Sequence, residues 1–326
     1  MKKMLALCLS LAMMFSLAAC GGEETPAAGG ETPAEESYSV GIVQLVQHDA
    51  LDAATQGFID ALREELGDKV SVETQNASGD SPMCATIVNQ FLANDVDLIM
   101  ANATPALQAA AAATTEVPIL GTSVTEYGVA LEIDGFTGTV GGNISGTSDL
   151  APLDQQAAML QEWFPEAENV ALLYCSAEAN SQYQVDVVKA ELEELGYVCE
   201  FYSFSDSNDL AAVVESAITW CDVIYVPTDN AVASNTGIID NICRPAGIPV
   251  IAGEEGICGG CGVATLSISY YDLGTATGKM AAKILTGEAD VAQMPIEYAP
   301  QFTKKFNEEI CADLNLTAPE GYVAIG

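Results

Sequence analysis

Residues 40–123 and residues 170–256 carry the same succession of apolar and helix-period segments twice. The first succession opens with the apolar run Val40-Gly-Ile-Val-Gln-Leu-Val46, followed by the helix-period stretch Gly57–Gly67. A strand around Lys69–Thr74, a helix around Met83–Asn94, the strand Asp97–Ala101, an Ala-rich helix to Thr115 and the strand Val117–Gly121 complete it. The second runs through Val170–Tyr174, a helix over Val185–Gly196, Tyr197–Phe201, Leu210–Thr219, Asp222–Val226, a helix near Ala231–Ala246 and Ile248–Ala252. Gly67 aligns with Gly196, Leu98 with Val223 and Pro118 with Pro249, at offsets of 129, 125 and 131, a drift that loop insertions account for. Strands alternating with helices of these lengths predict parallel sheets covered on both faces. The predicted fold is α/β, with two similar doubly wound parallel-sheet lobes enclosing a cleft.

The chain has 326 residues, enough for two such lobes with their own cores. Residues 1–19 read as a signal peptide: Lys2-Lys3 form the positive end, Met4–Leu17 the apolar run, and Leu17-Ala-Ala-Cys20 the processing site. Cys20 followed by Gly21-Gly22 resembles a bacterial lipobox, in which Cys20 becomes the lipidated first residue; a cleaved secretory peptide with an incidental cysteine is the plainer alternative. Residues 20–37 contain no large apolar residue and predict a flexible linker. No other stretch approaches the roughly 18 apolar residues of a spanning helix. The expected location is the extracytoplasmic face of the cell membrane, with a lipid anchor as the only membrane attachment.

Removing residues 1–19, which hold two lysines and no acid, takes the formal charge from −36 to −38. Such a chain does not bind nucleic acid, whose phosphates need Lys and Arg. The acids are scattered rather than blocked, as on a solvated surface, and a monomer is expected. Beyond Cys8 and Cys20, eight cysteines remain, and most stand where a small apolar residue would serve. Cys258-Gly-Gly-Cys261 is the one close pair; a local disulfide and two core thiols are both open, and a single such pair without histidines is weak evidence for zinc.

Catalysis has little to work with. His48 is the sole histidine, and no nucleophile elbow, zinc-binding helix or phosphate loop occurs. The expectation is a chain that is not an enzyme, with no catalytic residue, metal or cofactor. The glycines of Gly135–Gly146 are not placed as in a dinucleotide fingerprint, and their position between the repeats suggests a hinge.

Binding is better served. In parallel α/β sheets ligands sit beyond the carboxyl ends of the strands, where helix N-termini point. Those ends carry Gln44 to Asp52 with His48 and Leu51, Asn102 to Thr104, Gly121-Thr122-Ser123-Val124-Thr125, Ser176 to Ser181 with Asn180, Thr228-Asp229-Asn230, and Gly253-Glu254-Glu255-Gly256. Each stretch alone reads equally well as a helix cap or turn. Six on one rim form a polar clamp. Hydroxyls and free amides suit a carboxylate, and an acid such as Asp229 suits an ammonium, so the clamp fits the zwitterionic end of an amino acid. Trp163 and Trp220 lie on helical stretches and read as packing residues.

These residues carry a resemblance to a known family. About residues 38–325 resemble the lipoprotein substrate-binding components of ABC importers related to the tryptophan- and tyrosine-binding proteins, with the type I periplasmic binding protein fold. The motifs are Val40-Gly-Ile-Val-Gln with His48-Asp-Ala-Leu-Asp52, Asn143-Ile-Ser-Gly-Thr-Ser148, Pro227-Thr-Asp-Asn230, Pro249-Val-Ile-Ala-Gly-Glu254 and Ser269-Tyr-Tyr-Asp-Leu-Gly274. The resemblance implies an aromatic amino acid held between lobes and passed to a permease with its ATPase. It also implies that Asp229 and Asn230 meet the head group with Thr122, Ser123, Asn180 and Ser181. Thr147 and the His48–Leu51 loop would close around it, and Glu254 would line the second lobe. One departure stands out: Glu126-Tyr127 replace the family's usual Asp-Pro beside the cleft. A sensor-type or importer lipoprotein of the same fold taking a nucleoside, sugar or other small molecule is the alternative.

The fold implied has a three-segment hinge, with crossings near 146–151, 265–270 and 294–303. Lobe 1 is expected over 38–147 and 270–295, and lobe 2 over 148–269 and 300–326.

Overall fold

The apolar runs form strands whose side chains alternate between two buried faces. The structure, a computed structural model, describes residues 37–325. The expected signal peptide, the Cys20 lipidation site and the linker as far as residue 36 lie outside the described residues. In chain order the strands are β1 (Tyr38–Gln44), β2 (Val70–Asn76), β3 (Leu98–Asn102), β4 (Ile119–Val124), β5 (Ile144–Ser148), β6 (Asn169–Cys175), β7 (Val198–Phe204), β8 (Val223–Val226), β9 (Val250–Ala252), β10 (Ala264–Ser267), β11 (Glu297–Tyr298), β12 (Thr303–Phe306) and β13 (Val323–Ala324).

They build two sheets, ordered β11-β5-β4-β3-β1-β2 and β13-β12-β10-β9-β8-β6-β7. The runs β2-β1-β3-β4-β5 and β7-β6-β8-β9-β10 have the same order, so the doubled sequence pattern is a doubled topology. Pairing is parallel throughout the first sheet, while in the second β12 lies antiparallel against β10. In each lobe the strand order reverses between the first and third strands, β1 and β3 or β6 and β8. That switch point is where an open α/β sheet leaves a crevice at its carboxyl edge.

Val40, Ile42, Leu98 and Met100 face one apolar layer with Phe58, Leu62 and Met280, and Val43, Ile99 and Ala101 face the other with Phe91 and Leu107. In the second sheet Val170, Leu172 and Tyr225 face Leu160 and Leu192, while Ala171, Leu173 and Ile224 face Leu210 and Ile257. Period-two alternation with both faces apolar is the pattern of a parallel sheet sandwiched by helices. Cys84, Cys175, Cys199, Cys221, Cys243, Cys258, Cys261 and Cys311 are all free and buried, filling these layers as small apolar residues.

The chain passes between the sheets three times, between Ser148 and Leu153, between Ser267 and Tyr270, and between Tyr298 and Thr303. After the second crossing the helix Tyr270–Leu285 packs along the helix Asp49–Leu66 of the first lobe. The approach is close enough to require glycine: a Cβ on Gly57 would stand 2.1 Å from the Tyr271 carbonyl oxygen, and one on Gly274 1.9 Å from that of Ala54. After the third crossing, the short helix Glu308–Asp313 puts Ile310 and Cys311 into the core of the second sheet.

Two expectations need correction. The glycines of 135–142 lie in the loop between β4 and β5 of one sheet, not in a crossing; the crossing in that region runs through Asp149 and its neighbours, beyond the end of β5. The helix expected over 231–246 is broken into Asn230–Ala233 and Thr236–Ala246. There Ser234 Oγ donates to the Asn230 carbonyl and Asn235 Nδ2 to the Ala231 carbonyl, both at 2.8 Å, a local alternative to helix continuation.

Candidate functional site

The first lobe presents its polar residues through a buried network at the switch point. Gln44, at the end of β1, donates to the Val46 carbonyl at 2.8 Å and to Asp52 Oδ1 at 2.6 Å, and accepts from Thr55 Oγ1 at 2.7 Å. Asn102, at the end of β3, donates to the Leu51 carbonyl at 2.8 Å and to Thr55 Oγ1 at 3.0 Å. These bonds pin the start of the helix Asp49–Leu66, and so place His48 and Leu51. At the end of β4 the register shifts between Gly121 and Val124, and Ser123 adopts a left-handed backbone with φ 52°. A non-glycine residue pays for that conformation, and such strain collects at ligand clamps.

The second lobe answers from its own switch point. Asp229 follows β8 and caps the helix Asn230–Ala233, accepting from the Val232 N–H at 2.9 Å and from the Cys175 N–H at 2.7 Å. Glu178 follows β6 and accepts from the Asn230 N–H at 3.1 Å, Asn230 Nδ2 at 2.6 Å and the Ala231 N–H at 2.9 Å. Asn180 donates to the Thr228 carbonyl at 3.1 Å. Beyond β9, Glu254 caps the next helix through the Gly256 and Ile257 N–H groups.

His48, Leu51, Ser123, Thr125, Asp149, Asn180, Thr228, Asp229, Asn230, Ala233, Glu254 and Tyr270 converge on one internal cavity between the lobes. Its open volume is about 10 Å³, room for one water-sized group. A cleft of about 810 Å³ adjoins it, sharing His48, Ala233, Glu254 and Tyr270 and lined further by Ala50, Ala53, Ile268 and Tyr271. That size is typical of small-molecule sites.

Among the described residues no Lys or Arg lines the cavity, and its acids are buried together. Burial raises the Asp149 carboxyl, offset by the Tyr270 hydroxyl. Burial and the nearby Asp229 push Glu178 up to about 7, and burial pushes Glu254 up to about 7. Asp229 is raised by burial as well, against hydrogen bonds from the Cys175 and Val232 N–H groups, the Ser181 hydroxyl and the Ala231 N–H. Burial lowers the His48 imidazole, against its bond to Asn230.

Of the residues singled out from sequence, His48, Leu51, Ser123, Asn180, Thr228, Asp229, Asn230 and Glu254 stand on this wall, and Thr122, Val124, Thr147 and Ser181 do not. Thr122 Oγ1 lies 3.1 Å from Thr147 Oγ1, itself 2.8 Å from Thr277 Oγ1, a buried hydroxyl chain tying β4, β5 and the helix Tyr270–Leu285. Val124 sits in the apolar core of the first lobe, and buried Ser181 Oγ accepts from Asn180 Nδ2 at 3.3 Å. The wall also holds Asp149, Ala233 and Tyr270, which sequence reasoning does not single out, and Thr125, which it places only within the rim stretch Gly121–Thr125. Asp149 follows β5, whose sequence Ile-Ser-Gly-Thr-Ser lacks the apolar signal of a strand, and Tyr270 follows β10, the equivalent strand of the second lobe. The one legible signal was that topological equivalence. Tyr127, at the departure from the family pattern, is buried below the site and donates to the Thr147 carbonyl at 3.0 Å.

Comparison with known proteins follows the same geometry. The family model of ABC transporter substrate binding proteins matches residues 39–324. A tyrosine-binding protein of Clostridioides difficile is 32% identical over 325 residues, covering 97% of this chain and 93% of that one. A Streptococcus pneumoniae domain crystallised in complex with L-Trp is 31% identical with a TM-score of 0.84, covering 89% of this chain and all of the other (100%). The ligand-free, open structure of a Clostridium difficile substrate binding protein with adhesive properties is 35% identical, covers 88% of this chain and 99% of that one, and has a TM-score of 0.67. The lower score at higher identity is what rigid-body separation of the lobes produces, so the arrangement here is nearer to the L-Trp complex. The chain belongs to the ABC transporter substrate-binding protein family.

Proposed function

We propose that this chain captures a free aromatic amino acid between its lobes and delivers it to an ABC permease, as a monomer held on the extracytoplasmic face by a lipid on Cys20. The observation that carries the reading is the convergence of polar residues from both switch points on one interlobe cavity beside a larger cleft. The cavity has the size and polarity for one ammonium-sized group, and the cleft, lined by Gln47, Asp49, Glu255 and Ser269 as well as Ala50, Ala53, Ile268 and Tyr271, has room for the rest of an amino acid. The relatives named for tyrosine and crystallised with L-Trp support the ligand class. His48, Leu51, Ser123, Asn180, Thr228, Asp229, Asn230 and Glu254 form the ligand-side wall in this reading, while Thr122, Val124, Thr147 and Ser181 hold it in place.

A ligand touching both lobes binds the closed state better than the open one, and that differential affinity drives closure. No catalytic group is needed for this role. A thermal-shift screen of the twenty amino acids beside nucleosides and sugars tests it: the largest rise is expected with tyrosine, tryptophan or phenylalanine. A flat amino-acid panel with a response to a nucleoside or sugar would overturn the ligand class.

A further inference from the structure

Hydrogen-bond counting separates the buried carboxylates around the cavity. An ionised carboxylate offers about four acceptor sites. Glu178 accepts from the Asn230 N–H, Asn230 Nδ2, the Ala231 N–H and Asn180 Nδ2. Asp229 takes one N–H on each oxygen, from Cys175 at 2.7 Å and Val232 at 2.9 Å. Glu254 takes one N–H on each oxygen, from Gly256 at 2.6 Å and Ile257 at 2.5 Å. Asp149 differs: Tyr270 donates to its Oδ2 at 2.9 Å, while its Oδ1 is buried with no partner among the described residues. The Thr125 hydroxyl and the Asp149 N–H also favour the charged form of Asp149, with no bond closed on Oδ1 among the described residues.

Two more oxygens of the same wall are buried and unpartnered, Asn180 Oδ1 and Ser123 Oγ. The Asn180 amide is not free to flip, because its Nδ2 faces the Glu178 carboxylate and the Thr228 carbonyl. Ser123 is held there by the left-handed turn at the end of β4. Leaving a buried acceptor unmatched costs about 1–3 kcal/mol. Three such costs on a cavity of about 10 Å³ imply a partner that meets them together.

We propose that this cavity is the subsite for the ligand's ammonium group, with Asp149 Oδ1, Asn180 Oδ1 and Ser123 Oγ accepting its three N–H bonds and Asp149 supplying the counter-charge. The assignment rests on the amino-acid reading above. Ser123 comes from the first lobe, Asn180 from the second, and Asp149 from a crossing segment, so the ammonium ties the hinge itself. Tyr270, on the second crossing, acts as a positioning residue for Asp149. Asp229, the acid singled out from sequence for this role, has a backbone N–H bonded to each oxygen and serves structure instead.

The test uses calorimetry on the mature chain with L-tyrosine and L-tryptophan, the corresponding amines tyramine and tryptamine, and the N-acetyl amino acids. Blocking the ammonium by acetylation should weaken binding by about 100-fold, and Asp149→Asn should weaken the parent amino acids by a similar factor. Asp149→Asn should also collapse the ratio between parent and N-acetyl ligands, which a merely structural loss would leave in place. Tyr270→Phe keeps the carboxylate but removes the donor that favours its charged form. The pH below which binding fades should therefore move upward in that variant; Tyr270, Tyr127 and Glu254 are the titratable groups that face Asp149. If Asp149→Asn does not fold, the Tyr270→Phe pH profile carries the test. Binding of neither amino acid to the unaltered chain overturns the amino-acid reading itself. Normal binding by Asp149→Asn, N-acetyl ligands within ten-fold of their parents, or an unmoved Tyr270→Phe profile overturns the ammonium subsite alone.

Discussion

His48 Nε2 lies 3.2 Å from Asn230 Oδ1, a bond that joins the start of the first lobe's first helix to the end of β8 in the second. The direction of the bond follows from its neighbours. Asn230 Nδ2 donates to Glu178, so Oδ1 is the acceptor and His48 Nε2 carries the hydrogen. Burial holds the imidazole below its ordinary pKa of 6.5, so at neutral pH the neutral ring makes this bond. The sole histidine of the chain is thus a clasp across the cleft, on the wall shared by the cavity and the larger cleft.

Removing the clasp should cost closure more than folding. His48→Ala is expected to weaken amino-acid binding by about 1 kcal/mol, roughly five-fold, as one interlobe hydrogen bond leaves the closed state. Calorimetry reads the affinity, and small-angle scattering should show a larger radius for the ligand-free variant. An unchanged affinity with an unchanged radius would remove His48 from the closing mechanism.

Asp229 should behave as a structural residue. Asp229→Asn leaves one acceptor oxygen where the N–H groups of Cys175 and Val232 each had one. Loss of folding stability of about 1–3 kcal/mol is expected, read as a lower urea midpoint with the denaturant slope unchanged. The folded variant should bind the amino acid better than Asp149→Asn does; the reverse order would return the ammonium to Asp229.

The buried acids give the free chain a defined pH response. Glu178 and Glu254 are pushed to about 7 from 4.5, and Asp149 and Asp229 are raised from 3.8. Groups with raised folded pKa values hold protons in the folded state that the unfolded chain has released. Their contribution is full below about 4.5 and is lost as pH rises through about 7. The melting temperature of the ligand-free chain should therefore fall between pH 5 and pH 8. An ammonium ligand needs an ionised Asp149, so the ligand-induced gain in melting temperature should be larger at pH 8. A gain that shrinks from pH 5 to pH 8 would contradict this coupling.

The contact between the helices Asp49–Leu66 and Tyr270–Leu285 has no spare room. Gly274→Ala sets a methyl against the Ala54 carbonyl oxygen and should cost about 1–3 kcal/mol of stability. Because Tyr270 begins that helix and His48 caps the other, amino-acid affinity should fall along with the thermal midpoint. A stable variant with normal affinity would show that the helices shift without disturbing the wall.

Much of the fold was legible because it is written locally. Val40–Val43 and Val170–Leu173 are apolar on both faces, as only a strand buried on both sides requires, and their carboxyl ends locate the rim. β5 was not legible as a strand. Ser145, Thr147 and Ser148 are buried in it, their hydroxyls satisfied by the Met294 carbonyl, by Thr122 and Thr277, and by the Thr125 carbonyl. Those partners lie up to 149 residues away, so no local pattern announces them. Asp149 was overlooked with the strand that carries it.

The alternation of apolar strands and helices in the two repeats, the doubling and the polar rim belong to the sequence alone, because periodicity and turn chemistry act over a few residues. Which rim residue faces a ligand was decided by the tertiary structure. Asp149 and Tyr270 are 121 residues apart, and Asp229 and Cys175 54 apart. An acid is spent on the protein or left for a ligand according to which donors packing brings beside it, and only the folded lobes bring them.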